Sequence, residues 1–420
     1  MNSHIFTAEK EHTVPRLSTT LDLFSGIGGL CMALRPFSET ICYVENDPAC
    51  QAVLAARMES GHIDAAPIFS DIRDIEHGPV LKPDGTALLR VDRIVGGFPC
   101  QDISSAGRQK GFGGNKSSLF HHLMHAVRRF RPSEVILENV ANILAMPTVW
   151  KVVFKSLHDA GYHHIRWCTV SAGDVGAPHL RRRCFFLATR APPARLHSGA
   201  VPGVHDEPNG YNSYGWNIRK TGPRRGEPSI PRFKKIDERS KRKQSATVPE
   251  LTAMRRRLRQ LGNVVCPPQG RLAVQCLWNS CGTPIVVTTP RRGKTATGRR
   301  QLRSLPSWGY VHAGEDLVAL SPPRLPAYIP WPKRVIFPPP LPKGVRADKF
   351  ITKPWVRPRW PTPMCSNFNF TTRLTLRRTK DMGSALYYDR DTTEEERASV
   401  RLNPMFIEWM MGLPPNFTKV

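Results

Sequence analysis

Short apolar runs alternate with amphipathic stretches from Leu21 to about Arg190. The apolar runs predict strands at Thr20–Phe24, Ile41–Glu45, Arg93–Gly96, Val135–Glu138, Trp167–Ser171 and Cys184–Ala188, each short, bounded by turn formers and rich in β-branched or aromatic residues. Between them, Leu119, Phe120, Leu123, Met124 and Val127 recur at helical spacing and predict a helix over Ser117–Phe130 with one core-facing stripe. Strands alternating with helices predict an α/β fold built on a doubly wound, mostly parallel sheet.

The pattern changes along the rest of the chain. Residues 1–19 read as a loose leader. Residues 191–250 are rich in Pro, Gly, Arg and Lys with few apolar runs, which fits either an irregular insertion or a compact recognition module. A helical pattern returns over 251–277, around Leu261-Gly262-Asn263-Val264-Val265. Residues 278–360 are Pro-rich and basic, including Pro338-Pro339-Pro340, and predict locally extended chain. In the tail, Asn403 is placed to cap a short helix with Pro404 at its first position and Gly412 to stop it. The expected division is therefore a leader (1–19), a principal α/β domain (20–190 with 251–277), a candidate recognition region (191–250) and a basic C-terminal extension (278–420) that could carry a second recognition region.

Charge sharpens this picture. Among 420 residues, 61 Lys and Arg stand against 34 acids, a formal net charge of +27. The excess is local: Arg181 to Gln260 holds 20 basic and 6 acidic residues. Such a field draws in polyanions, and its concentration favours a nucleic-acid face over general solubility. The ten cysteines form no CxxC pair and no zinc-type spacing with His, so no metal is expected. The polar first twenty residues lack a signal-peptide core, and no apolar run is long enough to span a bilayer. The chain reads as cytoplasmic, without a membrane partner.

Two places carry candidate chemistry. The run Leu21–Phe24 leads into Ser25-Gly26-Ile27-Gly28-Gly29 and a helix beginning near Leu30. Glycines at a strand-to-helix turn let a ligand approach the backbone. By itself such a turn is usually only a turn, and it is not a strict GxGxxG. Glu45, however, ends the next strand 19 residues after Gly26, close to the ~20-residue spacing of an acid that binds ribose hydroxyls. Asp71, in Phe69-Ser70-Asp71-Ile72, is a third strand-end acid suited to an adenine amino group. A glycine turn with two such acids suits an adenosyl ligand without phosphates, which points to S-adenosylmethionine. The second place is Phe98-Pro99-Cys100-Gln101, after Ile94-Val95-Gly96-Gly97. An isolated cysteine is commonly buried and inert, but this one is flanked by turn formers. It precedes the glycine-rich, basic stretch Ser104–Lys116, which has the composition of a loop that closes over a nucleic-acid target.

Taken in order, Asp22–Gly29, Phe98–Gln101, Glu138-Asn139-Val140 and Arg181-Arg182-Arg183 resemble the motif series of the DNA cytosine-5 methyltransferase family, of phage and bacterial type. The resemblance covers Leu21 to Ala188 closely and Leu258 to Leu277 less densely. It implies the class I S-adenosylmethionine-dependent methyltransferase fold and methyl transfer to C5 of cytosine in double-stranded DNA after base flipping. It makes Cys100 the nucleophile at C6, Glu138 the acid at N3, and Arg183, supported by Arg181, a contact to the base. It assigns the cofactor to Asp22, Phe24, Ser25, Gly26, Gly28, Gly29, Glu45, Asp71, Ile72, Pro99, Leu119, Asn263 and Val264. Alternation puts Arg181 and Arg183 on one side and Arg182 on the other. His179 stands where the family carries Gln before its paired arginines. The tail Asn403–Gly412 resembles the Asn-Pro-x-Phe-x-Glu-Trp-x-Met-Gly segments of phage-type enzymes. Sequence recognition is assigned to 189–257, to 278–420, or to both. The resemblance implies a role in restriction protection or evasion, with a cognate endonuclease as a functional counterpart, and a monomer. Two other readings stand beside it: an RNA (tRNA) cytosine-5 methyltransferase, against which the absence of a Cys-Phe-Thr segment counts, and a catalytically silent nucleic-acid-binding protein.

Overall fold

The computed structural model describes residues 18–77, 80, 85–87, 91–98, 118–177, 179–191, 247–278, 304–312, 318–319, 334–336, 355–357, 363 and 404–420. Residues 1–17 of the expected leader, the Pro99–Ser117 stretch with Cys100, most of 191–250 and much of 278–403 lie outside these residues, and Ser18 and Thr19, read as the end of the leader, open the first strand instead.

Every predicted strand is present, most of them slightly longer than read: β1 (Ser18–Leu23), β2 (Ser38–Val44), β4 (Arg93–Gly96), β5 (Glu134–Val140), β6 (His164–Val170) and β7 (Arg183–Thr189). The short β3 (Ile68–Phe69) and the C-terminal β8 (Trp308–His312) and β9 (Val318–Ala319) complete a nine-stranded sheet in the order β3-β2-β1-β4-β5-β7-β6-β8-β9. From β3 to β5 all neighbours are parallel. From β5 outward through β7, β6, β8 and β9 every pairing is antiparallel. The connections differ in what they carry. The parallel strands are joined by crossovers that carry helices, whereas β6 reaches β7 by a tight excursion through a 3-10 turn at Ala172–Val175. A separate antiparallel pair joins β10 (Arg334–Ile336) to β11 (Trp355–Arg357).

Helices cover both faces. Val95, Ile136, Val170, Phe185 and Leu187 face α1 (Gly29–Leu34), α2 (Pro48–Glu59), α6 (Thr247–Asn263) and α7 (Pro267–Trp278) in one core. Their strand neighbours Leu21, Leu23, Ile94, Val135, Leu137, Trp167 and Phe186 face α3 (Asp74–His77), α4 (Ser118–Phe130) and α5 (Pro147–Asp159) in the other. This is the period-two alternation of strands buried on both sides. The helix expected over Ser117–Phe130 is α4, and its Phe120, Leu123, Met124 and Val127 are buried. The helical pattern of 251–277 resolves into α6 and α7, broken after Asn263.

The tail forms α8 (Pro404–Met410), with Pro at its first position and Gly412 just beyond it at φ +70°. It joins the first core through Ile407, Met410, Met411, Leu413 and Phe417. Glu408, completely buried, accepts hydrogen bonds from Arg257 of α6 (2.9 Å), from the Asn416 N–H (2.7 Å) and from the N–H and hydroxyl of Thr418. The charge is paired and its oxygens are saturated with donors, which is what a buried carboxylate requires. Residues expected in a C-terminal extension thus supply both a sheet edge and part of the core.

Candidate active site

The glycine turn sits at the C-terminal end of β1. Phe24, Gly26 and Gly28 all adopt positive φ (+56°, +56° and +89°), the left-handed region in which a phenylalanine is strained. Ser25 fixes the turn: its hydroxyl donates to the Asp22 carbonyl at 2.8 Å, and its N–H donates to the Val44 carbonyl of β2 at 3.1 Å. Gly26 donates its N–H to Glu45 Oε2 at 2.7 Å, and the other Glu45 oxygen accepts from the Asp47 N–H at 2.8 Å. The strand-end acid and the turn therefore form one unit, and among the described residues no atom outside the turn lies within 4 Å of where a Gly26 side chain would begin. Burial raises Glu45 above the ordinary carboxylate range. Asp22 lies behind the turn, fully buried. Burial, and then the neighbouring Glu45 carboxylate, push it up to about 8.

The late segment closes on this turn. A β-carbon on Gly29 would lie 2.5 Å from the Val265 carbonyl oxygen and 2.7 Å from Val264 Cγ2, so only glycine fits. Asn263 is exposed and Val264 buried. Asp71 is held by Arg73, whose N–H and Nε both donate to its Oδ1 at 2.9 Å. That bonding draws Asp71 down to about 2. Ile72 is buried and Leu119 is partly buried at the start of α4.

At the neighbouring strand ends, Glu138 lies almost fully buried near the end of β5, 9% exposed. Its Oε1 meets Arg183 Nε of β7 at 3.0 Å. Its Oε2 would stand 3.1 Å from a β-carbon on Gly97. Burial raises Glu138, opposed first by Arg183 and then by Arg181. Asn139 Nδ2 donates to the Phe98 carbonyl at 3.2 Å, tying β5 to the backbone that leads into Pro99 and Cys100, which lie beyond the described residues.

The two arginines part company. Arg182 is exposed and Arg183 faces Glu138, but Arg181 is fully buried, at 1% exposure, and its guanidinium reaches backbone carbonyls: Gly262 (3.1 Å), Val264 (2.6 Å) and Pro363 (2.8 Å). His179, also fully buried, donates Nε2–H to the Met410 carbonyl of α8 at 2.9 Å. Sequence reasoning missed Gly97, whose place after β4 and before Phe98 was the available signal. It also missed Gln269, whose amide donates to the Val170 and Arg181 carbonyls at 2.8 and 2.7 Å; nothing local marks that residue.

Among the described residues, no group of three or more His, Cys, Asp or Glu could hold a metal ion, and no helix is long and apolar enough to cross a membrane.

A family model for C-5 cytosine-specific DNA methylase matches residues 18–247. Among curated proteins, the chain is 32% identical over 171 residues to the type II methyltransferase M.CviJI of Paramecium bursaria Chlorella virus IL3A, covering 41% of this chain and 43% of that protein. It is 31% identical over 178 residues to the type II methyltransferase M2.BsuMI of Bacillus subtilis (strain 168), covering 40% and 41%. The chain thus spans less than half the length of these relatives. Among solved structures, the S. pombe Dnmt2 methyltransferase is similar over 42% of this chain and 52% of that one, at 19% identity and a TM-score of 0.32.

Proposed function

The chain belongs to the C-5 cytosine-specific DNA methylase family, and from that premise we propose that it methylates C5 of cytosine in double-stranded DNA. The observation that carries this reading is the buried Glu138 carboxyl, paired with Arg183 at 3.0 Å and lying against Gly97, at the strand end that leads to Cys100. An acid whose burial raises its proton affinity suits N3 of a cytosine in that place, and its second oxygen suits the exocyclic amino group.

Cytosine C5 is too weak a nucleophile to take a methyl group unaided. The Cys100 thiolate adds to C6, which opens the C5–C6 double bond and moves its electron pair to C5. Glu138 supplies the proton that N3 takes as this happens. Arg183 orients Glu138 and adds positive charge beside the ring. Once C5 carries the methyl group, loss of its proton re-forms the double bond and expels Cys100 as thiolate, and N3 returns its proton to Glu138. The base must leave the duplex to reach this site, an unstacking that costs about a few kcal/mol and is offset by pocket and backbone contacts; the net charge of +27 provides the latter.

The cofactor residues fit S-adenosylmethionine. The space before Gly26 admits a ligand, Glu45 stands at the distance in sequence expected of a ribose acid, and Asp22 lies fully buried beside them. Bound there, the cofactor supplies an electrophilic sulfonium methyl group. Phe24, Ser25, Gly28, Gly29, Asp71, Ile72, Pro99, Leu119, Asn263 and Val264 complete the proposed pocket. Residues 20–190 with 251–277 form the proposed catalytic domain, with target reading assigned to 191–250 and parts of 278–420. The proposed setting is the cytoplasm of a bacterial or phage-infected cell, where the protein acts as a monomer in restriction protection or evasion.

The test is transfer of labelled methyl from S-adenosylmethionine to mixed-sequence duplex DNA by the wild type and by Cys100→Ala. Label on cytosine C5 that disappears in the variant is expected. Wild-type protein that transfers label to tRNA and not to duplex DNA, or that binds cofactor without any transfer, overturns the reading.

A further inference from the structure

We propose that Arg181 is a positioning residue of the cofactor pocket: it holds the Gly262–Val265 segment against the glycine turn and so couples that pocket to the base pocket. The proposal rests on the methyltransferase reading above and moves Arg181 away from the contact to the base that the sequence suggested.

Three observations meet at this side chain. First, the guanidinium donates from Nη1 and Nη2 to main-chain carbonyls, two of which, Gly262 and Val264, flank Asn263. Helix α6 ends here, and a helix C-terminus exposes carbonyls without partners. A buried cation there satisfies them and meets the negative end of the helix dipole. Second, the residues it fixes are those that touch the turn, since Val264 and Val265 leave Gly29 no room for a side chain. A displacement of this segment by a few tenths of an ångström is therefore transmitted to Gly28 and Gly29. Third, the Arg181 backbone lies in the left-handed region at φ +30°. Strain of that kind persists only where the surroundings enforce it. Gln269 does so from one side by donating to the Arg181 carbonyl, and Pro363 from the other by accepting from Nη1. Two residues along the chain, Arg183 is paired with Glu138. One short stretch thus anchors the acid with its second arginine and the cofactor turn with its first.

The experiment measures binding of S-adenosylhomocysteine by calorimetry, and KM and kcat for methyl transfer, in wild type, Arg181→Lys and Arg181→Met. Losing charged hydrogen bonds to buried carbonyls is expected to weaken binding of S-adenosylhomocysteine about tenfold or more in the Met variant. KM for the cofactor rises in parallel, while kcat at saturating cofactor stays within about threefold of wild type. Lysine, which keeps the charge but not the fork, restores only part of the affinity. Hydrogen exchange is expected to show lost protection at 262–266 with β7 unchanged, and if the Met variant does not fold, the Lys variant carries both readouts. A fall in kcat with cofactor affinity intact overturns the proposal and returns Arg181 to the base. Wild-type affinity together with wild-type protection overturns it as well. Failure of the wild type itself to bind S-adenosylhomocysteine sinks the methyltransferase reading instead.

Discussion

Arg183 Nε lies 3.0 Å from Glu138 Oε1, with both side chains largely out of solvent. The pair separates two jobs that a surface ion pair would not have. Glu138→Gln keeps the shape and removes the acid, so methyl transfer is expected to fall by about 10²–10⁴-fold, with the melting temperature little changed. Arg183→Leu strands a carboxylate in an apolar setting and is expected to cost about 3 kcal/mol of stability in addition to activity. Denaturant titration beside a methyl-transfer assay distinguishes the two.

Gly97 permits the carboxylate to sit where it does. An alanine there would bring its β-carbon to 3.1 Å from Glu138 Oε2, so the carboxyl must give way by a few tenths of an ångström. Gly97→Ala is expected to fold normally and to lose about tenfold or more in kcat. Full activity in that variant would place the reacting base elsewhere.

Asp22 gives a pH signature. Its folded value is pushed up to about 8, against 3.8 for the unperturbed group. Between those values the folded chain holds a proton that the unfolded chain has released. Stability contributed by this site is therefore lost as pH rises through that window and levels off above it. Asp22→Asn removes the dependence. The variant is expected to gain on the wild type between pH 5 and pH 8, by on the order of a few kcal/mol at the upper end. Parallel curves for the two proteins across that range would show that Asp22 is charged when folded.

Glu408 organises the tail through Arg257, Asn416 and Thr418. Glu408→Ala leaves a guanidinium and two N–H groups without their acceptor and is expected to cost about 3–5 kcal/mol. Limited proteolysis should then cut near Phe417, which is fully buried in the native fold. Resistance equal to wild type would mean that the apolar contacts of α8 alone hold the tail.

The sheet was legible where the apolar runs are short and cleanly bounded: β4 falls on the residues read from the sequence, and β1, β2 and β5 extend at least one residue before them. The stop of α8 at Gly412 was legible because glycine at positive φ is a chemical signal in one residue. What alternation could not reveal was depth. It put Arg181 and Arg183 on one side, yet Arg181 is swallowed by carbonyls supplied 81 to 182 residues later. The partner of His179 lies 231 residues away and is a main-chain atom, which leaves no trace in side-chain pattern. Strand β8 was hidden for a related reason: Trp308–His312 lies in a Pro-rich, basic stretch, and its pairing with β6 depends on long-range docking rather than on local propensity.

The docking of Val264 and Val265 against Gly29 also sets an order in time. A chain emerging from the ribosome completes β1 through β7, and with them Glu138 and Arg183, long before α6 is made. Over that interval the nascent chain holds Glu138 and Arg183 but has only one wall of the proposed cofactor cleft. The Gly29 turn therefore waits for Val264 and Val265, residues made more than 230 positions after it, before its second wall is in place.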